Sequence, residues 1–180
     1  MGPKTTEYFD AFQQHVNAPL ETGTVGDHCF AAALLVFGAI DGLGRLIHPQ
    51  RTAGAGIRFK DFLPRLGPKY IEHADRIWDL RNSLAHNAIN VAAFLSKAED
   101  AALHHLEVDR GQIFVSTPQL VADFKDAFEA LKDGIERDCE LADRIDRRLF
   151  YAHLSDAYWR RMDVKTTEPP PISFVQAESE

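Results

Sequence analysis

The run Arg81-Asn82-Ser83-Leu84-Ala85-His86 gathers a cation, an amide and an imidazole within one short stretch. On a helix, at about 100° per residue, Asn82 and His86 lie one turn apart on one face, and the long Arg81 side chain can swing toward it. These are parts suited to a phosphodiester. A guanidinium grips phosphate oxygens in a fork, an amide gives or takes a hydrogen bond, and an imidazole, with an ordinary pKa near about 6.5, moves protons near neutrality. The spacing alone carries little weight, since Arg148 to His153 repeats it. Context separates the two copies: only the first has Asn directly after the Arg, small and apolar residues before the His, and Asn87 after it.

Structural roles compete for each of these residues. Arg81 has Asp75 and Asp79 nearby as ion-pair partners, and His86 in a last helical turn can cap free carbonyls, where the helix dipole favours it. Asp41, in the most apolar stretch of the chain, has Arg45 one turn on as an i,i+4 partner; orienting Arg81 is its other role. His104 and His105 are adjacent. On a strand they point to opposite faces, so they are expected to be solvated residues of a hairpin and not joint metal ligands.

The elements that must carry these residues are mostly helical. Tyr8, Phe9, Phe12 and Val16 predict an amphipathic helix from Lys4 to Asn17 that Pro19 ends. A second helix, capped by Thr24 or Asp27, runs to about His48 before Pro49, with its faces crowded by Ala and Gly. After a Gly-containing loop, IRFKDFLPRL is a short helical piece broken near Pro64 and Gly67. Pro68 then opens one helix through the motif, with Tyr70, Ile71, Ala74, Ile77, Trp78 and Leu84 or Ala85 as its stripe. Residues 90–97 are expected to form a turn of helix.

Residues 103–116 read as a β-hairpin turning at Asp109-Arg110-Gly111. Ser116 or Thr117, followed by Pro118, starts a single long helix to Leu149, bent near Gly134. The fold class expected is all-α: a bundle of about four to five helices with one small β-hairpin, in a single domain over residues 1–163, followed by a flexible Pro-rich tail over 164–180. The pairs Gly42/Gly44 and Gly54/Gly56 lack the strand context of a dinucleotide fold and are expected to serve packing and loops.

Composition limits the function. With 180 residues, 45% apolar and 26% charged, the chain suits one globular domain. A net charge of −7 excludes a protein that coats nucleic acid with its whole surface. It leaves room for a local basic site, because eight basic residues face four acidic ones between Arg45 and His86. Two distant cysteines, Cys29 and Cys139, make neither a disulfide scaffold nor a zinc ribbon. The apolar uncharged run Cys29 to Ile40 has twelve residues, short of the roughly 20 that a membrane span needs. With no apolar signal core near the N-terminus, the expected address is the cytoplasm.

At the motif the sequence resembles the HEPN superfamily, whose signature is an Arg, a polar residue that is often Asn, a few residues and a His. The resemblance extends over about residues 25–155: the apolar helix ending in AIDGLGRL, the IRFK stretch before the motif helix, the hairpin after it and the long final helix. It implies a small helical bundle that dimerises with two motifs at the interface, acting as a metal-independent endoribonuclease, often a toxin or phage-defence effector. It implies no cofactor and no metal. His86 would exchange protons with the ribose 2′-hydroxyl or the leaving 5′-oxygen, Arg81 would stabilise phosphate charge, and Asn82 would position substrate. Each chain offers one motif His, yet the reaction needs one group to accept a proton and one to donate it, so a homodimer follows. Ala88 stands where some members carry a Tyr modified by a nucleotidyltransferase partner, so other antitoxins or regulatory proteins are the expected partners. The alternatives are a catalytically silent dimer that binds a nucleotide or protein, and a purely structural bundle joined through its Ala- and Gly-rich helix.

Overall fold

Pro3 starts the first helix, α1 (Pro3–Phe12), in a computed structural model that describes residues 2–21, 29–50, 52–87, 93–97 and 99–149. Pro19 does not end this segment, as its type suggested. A π-helical turn (Gln13–Asn17), in which the Ala18 N–H reaches back to the Gln13 carbonyl, carries the chain into α2 (Ala18–Glu21). A proline in an α-helix clashes with the carbonyl four residues before it, and widening the preceding turn removes that clash. The caps expected at Thr24 and Asp27 lie outside the described residues.

The third helix, α3 (Cys29–Ile47), is the centre of the core. Ala32, Ala33, Val36, Phe37, Ile40 and Leu43 are all buried. By length and composition alone it could cross a membrane, contrary to expectation, because Asp41 and Arg45 interrupt the uncharged run without much lowering its mean hydropathy; half of that stretch is buried inside the fold. Against it pack α4 (Ala55–Phe62), α6 (Ala74–Asn87) and α7 (Thr117–Arg137). A Cβ on Gly44 would sit 2.7 Å from the Arg58 carbonyl oxygen, so α3 and α4 touch backbone to side-chain position there. On the other side, Phe9 and Phe12 of α1 stack on Phe128 of α7 at 5.3 and 4.9 Å.

Two expected long helices are each divided. The segment from Pro68 breaks at His73 into α5 (Pro68–Glu72) and α6. The break lets Tyr70 point away from the core stripe of α6, which is Ile77, Leu80 and Leu84, and leaves Ile71 exposed. The final helix breaks at Asp138, four residues beyond Gly134. Asp138 is extended, and its carboxylate accepts the Leu141 N–H at 3.0 Å, capping a new helix α8 over residues 139–149. From α8, Arg144 and Arg148 donate to the carbonyls of Arg45, Leu46 and Ile47, groups that the end of α3 leaves unpaired.

The fold is all-α with a small β insertion, as expected, but the insertion has three strands. Residues 93–96 form a strand, not a helical turn: β1 (Ala93–Ser96) pairs in parallel with β3 (Gln112–Ser116), Phe94 opposite Phe114. A short apolar run takes the form its partner imposes. The hairpin partner is only β2 (Val108–Asp109), and the turn uses positive φ at Arg110 and Gly111, as a two-residue hairpin loop requires. His104 lies in a 3₁₀ turn (Glu99–His104), exposed and paired with Glu107. His105 is buried and not solvated.

His105 is the hub of a polar tie between three elements. Its Nδ1 accepts the Ser116 N–H at 3.1 Å, its Nε2 lies 2.8 Å from the Tyr70 hydroxyl, and that hydroxyl donates to Asp123 of α7 at 2.7 Å. Burial pushes His105 below the usual imidazole range, outweighing the opposite pull of Asp123, and burial with Asp123 pushes the Tyr70 phenol up.

Two outcomes follow. Because folded His105 resists protonation, the unfolded chain takes the proton first as pH falls through about 6.5, so this contribution to stability is present above that pH and lost below it. Thermal melts at descending pH should fall more steeply for the native chain than for His105→Gln. In urea unfolding, Gly44→Ala should destabilise, while Gly38→Ala, with nothing within 4 Å of its Cβ, should gain up to about 1 kcal/mol from helix propensity.

Candidate functional site

The motif residues sit on the second half of α6, whose Ile77, Leu80 and Leu84 hold it to the core. That anchoring turns Arg81 toward α3. Its Nε donates to Asp41 Oδ2 at 2.7 Å, its Nη2 donates to the same oxygen, and its Nη1 donates to Asn82 Oδ1 at 3.0 Å. Arg81 and Asp41 are each about four-fifths covered, with side-chain exposures of 21%. The guanidinium carbon also lies 5.2 Å from the Trp78 ring centre, and Trp78 in turn rests on Phe59 at 5.3 Å and on Gly56, where an added Cβ would come within 3.1 Å.

Of the two roles weighed for Asp41, the structure therefore shows the contact with Arg81. The alternative partners of Arg81 are engaged elsewhere or absent: Asp75 pairs with Lys60 at 2.6 Å, and no contact joins Asp79 to Arg81 among the described residues. A guanidinium has five N–H groups. Three are used here, which leaves one on each terminal nitrogen for an incoming anion.

His86 occupies the last turn of α6 and is exposed, one turn beyond Asn82; no hydrogen bond or ion pair reaches its ring among the described residues. Arg81, Asn82 and Asp41 are thus brought into direct contact, while His86 joins them only through the helix face it shares with Asn82. Of the second Arg–His spacing only the Arg is described. Arg148 caps the end of α3, and His153 lies outside the described residues, as do Ala88 and the 164–180 tail. Cys29 and Cys139 are free thiols.

Trp78 is the residue that sequence reasoning assigned only to the core. Its spacing of three from Arg81 was the available signal, because residues at that spacing stack on one helix face. Stacking fixes the plane of the guanidinium, and Asp41 fixes its rotation. The chemical result is a preoriented cation with an amide beside it and a free imidazole one turn away. Among the described residues, no three His, Cys, Asp or Glu side chains gather as a metal would need.

A double-mutant cycle on Asp41 and Arg81 should give a coupling of about 1 kcal/mol or more, since removing either leaves a largely covered charge unpaired. The exposed Lys60–Asp75 pair should give no more than about 0.5 kcal/mol by the same measurement.

No family model, curated protein sequence or solved structure matches this chain, so the reading of the site rests on its own residues and their geometry.

Proposed function

We propose that this chain is a metal-independent endoribonuclease of HEPN type, working as a homodimer with the Arg81–His86 motif at a shared cleft. The observation that carries the reading is the preoriented Arg81, tied by Asp41 and stacked on Trp78, with two N–H groups left for a phosphate. A cation held this way spends no further conformational freedom when an anion arrives, which is the condition for effective charge stabilisation.

The chemistry then needs proton transfer. His86 takes the proton of a ribose 2′-hydroxyl as that oxygen attacks the adjacent phosphorus. The bond from phosphorus to the 5′-oxygen breaks, and the leaving oxygen receives a proton from His86 of a second copy. Arg81 offsets the charge that builds on the phosphoryl oxygens, and Asn82 positions the strand. The products are a 2′,3′-cyclic phosphate and a free 5′-hydroxyl. Asp41 and Trp78 act through Arg81 as positioning residues. A toxin or phage-defence role, with an antitoxin or regulatory partner, belongs to the same reading.

A second reading has its own support: no described group orients the His86 ring, whereas a general base is ordinarily held in line by a neighbour. On that reading the chain is a catalytically silent dimer that holds a nucleotide or protein partner through Arg81.

Incubating RNA with the protein in EDTA separates the two. The ribonuclease reading expects 2′,3′-cyclic ends, with cleavage falling by about 100-fold or more in His86→Ala. Full cleavage by that variant, or none by the native chain, overturns it.

A further inference from the structure

A cavity of about 250 Å³ opens where the start of α5, the 3₁₀ turn before β2 and the first turns of α7 meet, and the proposed nuclease chemistry makes no use of it. Its polar wall is Asp123, Gln119 and Lys69, backed by the Tyr70–His105 pair.

The hydrogen bonds around it determine where the protons are. The Ser116 N–H can only donate, so His105 Nδ1 is an acceptor and the neutral ring carries its proton on Nε2. That proton is given to the Tyr70 oxygen, and the phenolic proton is given to Asp123 Oδ2. Gln119 Nε2 donates to the other Asp123 oxygen at 2.7 Å. Asp123 therefore accepts at both oxygens, each only partly used, and about a fifth of its side chain is open, 21%. That end of the cavity calls for a donor, and a cationic one is favoured. At the rim, exposed Lys69 offers the opposite charge, while Leu66, Ala102 and Leu106 supply an apolar flank.

The backbone here is also unusual. Among the described residues four have positive φ, and two of them, Gly67 (137°) and Leu106 (64°), line this cavity. Leucine is disfavoured in the left-handed region, and such a conformation persists where the surroundings over-determine it, often at ligand sites.

We infer that this cavity binds a small aliphatic α-amino acid, its ammonium group on Asp123, its carboxylate on Lys69 and its side chain against Leu66 and Leu106. This site is separate from the Arg81 motif and stands or falls independently of the nuclease reading.

The test is an NMR titration of the full chain with three probes: L-leucine, isopentylamine, which lacks the acid, and 4-methylpentanoate, which lacks the amine. Leucine should shift the amides of Gly67, Leu106, Ser116 and Gln119 at concentrations of about 10 mM or below, and each single-charge probe should bind about 10-fold more weakly or worse. Lys69→Ala should weaken leucine and leave the amine unchanged. Ala102→Trp fills the cavity from an exposed position, so it should abolish the shifts while the His105 ring signals show the fold intact. No shift with leucine, equal binding by the amine alone, or undiminished binding in Ala102→Trp would each overturn the inference.

Discussion

The apolar helix α3 is buried along Ala32, Val36, Ile40 and Leu43, and it carries one carboxylate in its second half, Asp41. Much of the arrangement depends on how that charge is neutralised. A largely covered carboxylate without a partner is costly, so a cation has to reach it. Arg81 does so from α6, which its apolar stripe Ile77, Leu80 and Leu84 already holds against the core. The same contact then gives the guanidinium a defined plane and rotation. Stability and a preoriented guanidinium arise here from one ion pair.

The preceding helix, α5, is held differently. The chain breaks at His73, so that α5 aims Tyr70 at His105 and Asp123 while α6 turns Ile77, Leu80 and Leu84 inward. Each polar group in that tie has a partner of the right kind, which is what makes a buried network specify one arrangement. It joins α5, the strand insertion and α7, and it forms the back wall of the cavity lined by Leu66, Lys69 and Gln119. Two polar devices therefore tie the fold together, one an ion pair between α3 and α6 and one a hydrogen-bonded imidazole between α5, the strand insertion and α7.

The outlines of the helices were legible in the chain, because apolar residues at spacings of three and four report directly on burial. So were the local stops: Pro49, Pro64, the positive φ at Gly111 and the Ser116 cap each act within a few residues. The departures share a cause. Pro19 suggests an end, because a π turn leaves no mark in composition. Residues 93–96 suggest a helical turn, because their strand partner lies almost twenty positions on. LHHLEV suggests a solvated His105, because nothing in it indicates that Tyr70 and Asp123 converge there. The break at Asp138 has no local mark, because Asp caps a helix only when the chain is already turning.

For the candidate site, the sequence by itself determined which groups are present and that Asn82 and His86 share a helical face, since that follows from 3.6 residues per turn. Only the tertiary structure decided that Arg81 turns to Asp41, forty positions away, instead of to Asp75 or Asp79 nearby, and that Trp78 lies beneath it. Partners close in sequence are available to any helix. Which one is used depends on where burial leaves a charge without water, and that is a property of the packed helices together.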